Sequence, residues 1–579
     1  MLNSEHAGSA GPGTNAGVGA DVAAPTRLSL AAAIRRRLAI EPERVIARYL
    51  ARGEEETAAL SGGEIEDSAR RVAGGLISAG LPGQRVLLVM ETGPDFLYAI
   101  TGCLYAGVVA IPASEPRAGA SLDRLEEIAA NSGAAAVLVS TRVADALARR
   151  VRPNSPLAGL PLLDVASLAA TSAAATCPGL DADPEAPVIV QYTSGSTGAP
   201  RGVVLDSACI LANIAMSSRG MDVGQRGEAE RLVNWMPHYH DMGLVGKILT
   251  PLVNGLEVIH MSPLAFAQRP ARWLQAISRY RATTSGAPAF ALDLCTSRVP
   301  DDVVDTLDLS SWRTAFCGAE PVFAATLSEF RRRFARAGLQ PEAVFTCYGL
   351  AETTLYAAGA HGAESPDEEA PPGARAPCHL DQASRAAIRI VDEQGRVLPD
   401  GAEGEIWIAG PSLAAGYFGD PGASRRTFGA RTVPDDGRDY LRSGDLGRVQ
   451  GDALTITGRI KDVLISAGLN VSASDVERFA TRSQTQLNPD GAAAFQLPEE
   501  EGGALVLVME RQRGGSAQLD EAEAVRAIRA AVFAALGISL DTIRIVRPGT
   551  LPRTTSGKIR RAVARAAWIA GDTPLAEAS

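Results

Sequence analysis

None of the seven cysteines in this 579-residue chain belongs to a C-x-x-C pair, and none falls in the last two hundred residues. Scattered thiols of odd number supply neither a disulfide framework nor a zinc site, and they fit a reducing, cytoplasmic setting. Positive charge is also short. With a net charge of −10, no broad basic face is available for nucleic acid or anionic lipid, and the run Arg331, Arg332, Arg333 reads as a solvated helix face. There is no internal repeat. Residues 1–25, rich in Gly, Ala, Ser and Asn, lack the basic start and apolar core of a signal peptide and are expected to form a disordered tail. The stretch from Phe96 to Ala113 is uncharged and reaches the length of a membrane span. Gly102, Gly107 and Pro112 interrupt it, however, so a buried helix followed by a buried strand is expected, and no membrane span.

What the chain does have is alternation of strand-like and helix-like segments. RVLLVM (85–90), Val108 to Ile111 and Ala135 to Val139 read as buried strands, and Leu125 to Ala130 as helix. The texture continues through Val188 to Gln191, Leu256 to His260 and Arg313 to Cys317. Such alternation predicts helix-covered, mostly parallel sheets. Residues 361–376 break it with Pro, Gly and acids, as a surface insertion would. From about Ala387 the pattern turns to period two, AIRIVDEQGRVLPDG and GEIWIAG, with turns at Gln394-Gly395 and Asp400-Gly401, which predicts a half-exposed antiparallel sheet. After Gly458 a smaller α+β unit is expected, including a helix over 520–536 with Val525, Ile528, Val532 and Leu536 on one face and Gly537 as its cap. The expected fold class is therefore multi-subdomain α/β. A body over 26–458 combines helix-covered parallel sheets with a distorted antiparallel subdomain, and a small mobile α+β domain occupies 459–579.

The strongest local signal is VIVQYTSGSTGAPRGVVLD, Val188 to Asp206. A buried strand runs into Thr193, Ser194, Gly195, Ser196, Thr197 and Gly198, then Arg201 and a second strand. Glycines let backbone N–H groups approach an anion, hydroxyls add donors and Arg201 adds charge. This is a phosphate cradle without the spacing of a P-loop NTPase. A merely flexible Ser/Gly turn is the alternative.

These residues resemble the signature of the adenylate-forming superfamily of acyl-CoA synthetases, peptide-synthetase adenylation domains and luciferases. Further segments resemble that family in order along nearly the whole chain. YGLAET implies an aromatic stack near adenine from Tyr348, with Gly349 and Thr353 beside it and Glu352 helping to hold Mg²⁺. YLRSGDLG implies that Asp445 accepts from the ribose hydroxyls. GRIKDVLISAGLN implies Arg459 near the ribose and α-phosphate, and Lys461 as the interdomain hinge. LPRTTSGKIRR supplies Lys558, implied to sit between the attacking carboxylate and the α-phosphate. Attack of one anion on another needs preorganised positive charge, and a vicinal diol suits an acceptor-only group. Taken singly, Asp445 also reads as a turn residue and Lys558 as a solvated lysine.

Three segments resemble the fatty acyl-AMP ligase branch: NWMPHYHDMGLVGKILTPLVNG (234–255), SGAPAFALDLC (285–295), and CGAEPV (317–322) together with GLAETTLYAAG. The resemblance implies His240 and Asp241 near the substrate, Gly286 and Ala287 along an acyl tunnel, and Gly318, Ala319 and Glu320 bordering adenine. Catalytic roles are implied for Lys558, Glu352 and His240. His238-x-His240 could also be a metal pair or packed structural histidines, but no further ligands are recognisable. The implied reaction is ATP- and Mg²⁺-dependent activation of a carboxylic acid, a fatty acid by resemblance, with transfer to an acyl carrier protein. Two departures leave CoA open as the acceptor. The stretch after Glu352 is shorter than that branch usually carries, and GLNVSASDVE replaces its usual run after the hinge. A non-catalytic nucleotide- or acyl-binding relative is the reading from another class.

Overall fold

The computed structural model describes residues 28–116, 121–174, 176–193, 200–224, 230–361, 370–371, 373–466, 469–484, 486–512, 519–554 and 557–571. The tail expected over 1–25, Ser194 to Gly198 of the cradle and most of the expected insertion lie outside these residues.

Unbroken runs of Val, Leu and Ile make strands that can be covered on both faces. Arg85–Val89, Val109–Ala113 and Ala136–Val139 are of this kind and lie parallel in a seven-stranded sheet. Its order runs Leu162–Asp164, Ala136–Val139, Arg85–Val89, Val109–Ala113, Pro187–Thr193, Arg201–Asp206, Gly416–Tyr417, with only the last two strands joined antiparallel. The apolar stretch at 96–113 resolves into the helix Pro94–Ala106, started by proline and stopped by a left-handed Gly107, and the strand Val109–Ala113. Among the described residues no helix is long and apolar enough to cross a membrane.

A second seven-stranded sheet has the order Val344–Thr346, Thr314–Cys317, Thr284–Ala287, Arg231–Asn234, Glu257–Met261, Val45–Ala51, Glu55–Ser61, parallel except at its last pair. Two large buried cores pack these sheets, one around Phe96, Leu97 and Tyr105 that also takes in Ile46, Ala47 and Tyr49 of the second sheet, the other around Trp273, Trp312 and Phe330.

The period-two segment forms a five-stranded antiparallel sheet, in the order Cys378–His379, Ala453–Arg459, Leu441–Gln450, Gly404–Ile408, Ile388–Val391. It is more buried than the alternation predicts, with four of the five residues of Gly404–Ile408 inaccessible. That strand is an interior one, between Leu441–Gln450 and Ile388–Val391. One face packs with Leu441 and Leu454, while Tyr440 covers Trp407 on the other.

Beyond Arg459 come the hairpin Val463–Ser466 and Leu469–Ser472 and a three-stranded mixed sheet, Leu487–Gln496, Leu505–Arg511 and Thr542–Val546. The helix Glu521–Leu536 begins at Asp520, whose carboxylate accepts the Glu523 N–H, and ends at a left-handed Gly537. It buries Ala524, Ile528 and Val532, with Val525 and Leu536 half-buried. This carboxy-terminal part sits on the rest through Arg375, which donates to Ser474 at 2.9 Å and to Asp475 at 2.5 Å. The guanidinium carbons of Arg375 and Arg478 lie 4.0 and 3.6 Å from the Phe323 ring centroid.

One core residue is out of character. Lys247, in the π-helical turn Val245–Leu249 between the two large cores, is 1% exposed. Its ammonium has no hydrogen-bond partner among the described residues and lies 4.3 Å from the Phe316 ring centroid. Burial pushes its pKa down to about 7. The unfolded chain therefore holds the proton between about pH 7 and 10.5 while the folded chain does not, so stability rises with pH across that window. Replacing Lys247 with Met should stabilise the protein near pH 7 by on the order of 4 kcal/mol and flatten that rise. Denaturant titrations at pH 7 and 10 test this, and an undiminished pH dependence in the variant would refute it.

Candidate active site

Residues that directly follow parallel strands of both large sheets line one cavity of about 1620 Å³. Glu91 and Thr92 follow Arg85–Val89, and Trp235 follows Arg231–Asn234. Pro288 follows Thr284–Ala287, and Cys347 follows Val344–Thr346. Open α/β sheets bind ligands at such strand ends. The antiparallel sheet and the carboxy-terminal part close the cavity with Asp445, Arg459, Lys461 and Lys558.

The antiparallel pairing sets Asp445 opposite Arg459. Arg459 Nε lies 2.7 Å from one carboxylate oxygen of Asp445, and the Tyr348 hydroxyl donates to the other at 2.7 Å. Burial and the adjoining carboxylate push the Tyr348 phenol far above its ordinary value, and the Asp445 charge holds Arg459 more firmly protonated. Asp445 is only 3% exposed, so its remaining acceptor capacity is directed at whatever enters the cavity.

Gly349 follows Tyr348 where the chain doubles back, since a Cβ there would stand 1.7 Å from the Leu355 carbonyl oxygen. Glu352, in the short turn Ala351–Thr353, accepts from the Tyr417 hydroxyl at 2.8 Å. Burial raises its carboxyl pKa against the pull of that hydroxyl and of Arg459. The Arg201 guanidinium carbon is 5.5 Å from the Tyr417 ring centroid. Arg201, opposite Thr193 in the strand pair, is thereby linked to Glu352. Thr353 is fully buried and bonds back to the Leu350 carbonyl at 2.9 Å, so its part is to shape the turn.

Lys558 reaches across from the carboxy-terminal part. Its ammonium donates to the Ala319 carbonyl at 2.5 Å, and Ala319 has a left-handed φ of 68°, a strained conformation for a residue with a Cβ. Burial lowers the Lys558 pKa while the Glu320 carboxylate opposes that fall. Glu320 accepts the Phe290 N–H at 2.7 Å, and burial raises its own pKa.

His240 lines the cavity at the start of the helix Asp241–Leu244, with Nδ1 2.5 Å from an Asp241 oxygen. Burial would raise the Asp241 carboxyl, but the His240 ring and the Met242 N–H, at 2.6 Å, hold it below its ordinary value. Asp241 thus orients His240 and is not part of the cavity wall. Gly286 and Ala287 stand one layer back, where the Phe316 ring fills the space a Gly286 side chain would need, and Pro288 and Phe290 make the wall instead. Gly318 is also behind the wall, packed on Cys347, while Ala319 and Glu320 are on it. Ser194, Gly195, Ser196, Thr197 and Gly198 are outside the described residues.

Residues 34–418 match the family of AMP-binding enzymes, and residues 461–578 match the Disco-interacting protein 2-like AMP domain. The chain is 34% identical over 504 residues to the long-chain-fatty-acid–AMP ligase FadD23 of Mycobacterium tuberculosis, covering 83% of this chain and 85% of that one. It is 33% identical over 548 residues to the medium-chain-fatty-acid–[acyl-carrier-protein] ligase JamA of Moorena producens, covering 90% and 92%. The chain belongs to the AMP-binding, adenylate-forming enzymes, in the fatty acyl-AMP ligase branch. Its fold matches a structure from a study of fatty acyl-adenylate ligases of E. coli and L. pneumophila with a TM-score of 0.80 and 30% identity, over 94% of this chain and 98% of that one.

Two residues of this ligase escaped the sequence reading. Tyr417 reaches Glu352 only because Gly416–Tyr417 pairs with Arg201–Asp206, a contact between segments about two hundred residues apart that carries no local pattern. Lys247 did have a signal, in composition. Lysine occupies only three of the 56 Lys and Arg positions, and the other two are Lys461 and Lys558.

Replacing Gly349 with Ala should displace the Tyr348 backbone, cost about 1–3 kcal/mol of stability and weaken nucleotide binding. Thermal unfolding with and without ATP tests both effects. An unchanged midpoint would mean that the Leu355 carbonyl yields freely.

Proposed function

We propose that this protein condenses a fatty acid with ATP to give acyl-AMP and pyrophosphate, then passes the acyl group to the phosphopantetheine thiol of an acyl carrier protein. The observation that carries this reading is Lys558, held on the Ala319 carbonyl in the cavity that Tyr348, Asp445 and Arg459 also line. Asp445 accepts from the ribose hydroxyls, and Tyr348 packs against the base. The acid's carboxylate attacks the α-phosphorus with pyrophosphate as leaving group. Lys558 offsets the charge as the two anions approach, acting as a fixed cation and not as a proton carrier. His240, with Nδ1 turned to Asp241, offers Nε2 where carboxylate and acyl chain meet. Glu352 fits a Mg²⁺ ligand, being a half-buried carboxylate that accepts from the neutral Tyr417 hydroxyl and carries no ion pair of its own among the described residues, and such an ion would bring ATP phosphate oxygens into register.

The second step needs the same cavity with a different partner. Lys461, exposed in the short turn Ile460–Asp462 just after Arg459, is positioned as a pivot for withdrawing Lys558 and admitting the thiol. Similarity to the long-chain-fatty-acid–AMP ligase FadD23 and to the acyl-carrier-protein ligase JamA supports acyl-AMP formation and a carrier-protein acceptor.

Purified protein with ATP, Mg²⁺ and acids of graded length, offered CoA or a holo-carrier protein, tests the reading by mass spectrometry. Acyl-AMP that persists with CoA and is consumed by the carrier is expected, whereas rapid acyl-CoA formation would make the protein a CoA synthetase. In Lys558→Ala, adenylate formation should fall by about 10²–10³-fold while pre-made acyl-AMP is still transferred. Equal loss of both steps would defeat the two-step scheme.

The Tyr417 hydroxyl holds the Glu352 carboxyl down against burial. In Tyr417→Phe that carboxyl should titrate at higher pH, so the acid limb of the adenylation profile moves up. A profile that stays put would separate Glu352 from that limb.

A further inference from the structure

The cradle begins at Thr193, the last residue of its strand, and Arg201 pairs with Thr193 where the next strand starts. The Arg201 end is secured by the segment around Tyr417, where the Phe418 N–H donates to the Gly202 carbonyl at 2.7 Å. The Thr193 end is secured by a helix instead. Arg124, in the first turn of the helix Asp123–Ser132, donates from Nη2 to the Thr193 carbonyl at 2.7 Å. Asn131, at the other end of that helix, accepts from the Tyr192 hydroxyl at 2.6 Å. Seven residues apart, Arg124 and Asn131 share one helix face, so the last two residues of the strand are held at two points.

The helix itself does not call for a cation there. Its first turn is the positive end of the helix dipole, where acids stabilise and bases do not. Asp123 and Glu126 follow that rule, and Arg124 breaks it. Its contact with Glu127, at 3.8 Å and more than half exposed on the glutamate side, contributes little in water. Burial lowers the Arg124 pKa, Glu127 opposes the fall, and the Arg560 guanidinium adds to it. Arg560 belongs to the Lys558 segment and lines the cavity. Two guanidinium groups in each other's field, one from the body and one from the carboxy-terminal part, repel, and a bound polyphosphate is the chemistry that offsets the repulsion. In the reading above the α-phosphate falls to Lys558, which leaves the pyrophosphate portion of ATP for the Thr193 end.

We propose that Arg124 is a positioning residue for the pyrophosphate portion of ATP, holding the Thr193 carbonyl so that the start of the cradle stays in place for it. This rests on the acid-activating reading above and adds a residue to its first step. Arg124 acts through Thr193 and through its charge, so its loss weakens the binding of ATP and leaves the acid's own site as it is.

Initial rates of adenylate formation, with equilibrium binding of ATP and of AMP, test this in two variants. Arg124→Met keeps the aliphatic stem, and Arg124→Lys returns a donor and a charge. In Arg124→Met the KM for ATP should rise about ten-fold, with kcat within about three-fold and the KM for the acid unchanged. ATP affinity should fall by a similar factor and AMP affinity by less than about two-fold, because AMP lacks the pyrophosphate portion. Arg124→Lys should recover part of the loss. A contact that only supported the helix would lower the folded fraction, and so kcat, while leaving both KM values where they were. An unchanged KM for ATP in Arg124→Met would therefore overturn the inference, as would equal losses of ATP and AMP affinity. If Arg124→Met does not fold, Arg124→Lys decides, with a rise of about three-fold in the KM for ATP expected and no rise overturning the inference. No adenylate from the wild type with any acid would overturn the acid-activating reading, and the inference with it.

Discussion

The pairing of Asp445 with Arg459 across two antiparallel strands is the constraint from which the rest of the site takes its position. It fixes a nearly buried carboxylate on the wall of the cavity with one side neutralised and the other held by Tyr348. Tyr348 can be there only because Gly349 lets the chain turn tightly against the Leu355 carbonyl. That turn in turn delivers Glu352 to Tyr417. Arg459 is also the last residue before the change to the carboxy-terminal part, so the pair ties this wall of the cavity to the start of the part that carries Lys558.

The cavity sets acids and bases in close opposition, each working against the shift that burial imposes on the other. Burial lowers the Lys558 pKa, and the Glu320 carboxylate opposes that fall. Burial raises the Glu320 carboxyl, against the pull of Lys558 and of the Phe290 N–H. This opposition joins the body to the carboxy-terminal part. Its seating rests on a polar and aromatic contact, Arg375 and Arg478 around Phe323, and not on a continuous apolar core. Contacts of that kind suit parts that separate and rejoin.

The sheet architecture was legible in the sequence because doubly covered strands are written as unbroken apolar runs, and Arg85–Val89 and Ala136–Val139 fall where those runs are. The antiparallel sheet was legible in outline but misjudged in burial, since alternation within Gly404–Ile408 does not reveal that Tyr440 covers its second face. Tyr348, Asp445, Arg459 and Lys558 could be gathered from ordered motifs, and the structure puts all four on one cavity. Asp241, Gly286, Ala287 and Gly318 stand just behind its wall. Which of several neighbouring residues reaches the surface depends on strand parity and on ring placement, such as that of Phe316 over Gly286, and neither is written locally. Tyr417 depended on a strand pairing across about two hundred residues.

Scarcity of lysine has a chemical consequence for an enzyme of this class. A mixed anhydride of a carboxylic acid and AMP acylates amines, whereas a guanidinium stays protonated at neutral pH and does not attack. A chain that carries its positive charge almost wholly as arginine exposes very few side-chain amines to product that leaks from the site. Lys247 is sealed in the interior. Lys558, the amine nearest to where the anhydride would form, is engaged by the Ala319 carbonyl, with the Glu320 carboxylate opposing the fall that burial imposes on its pKa. The surface is thereby largely inert toward the protein's own reactive intermediate.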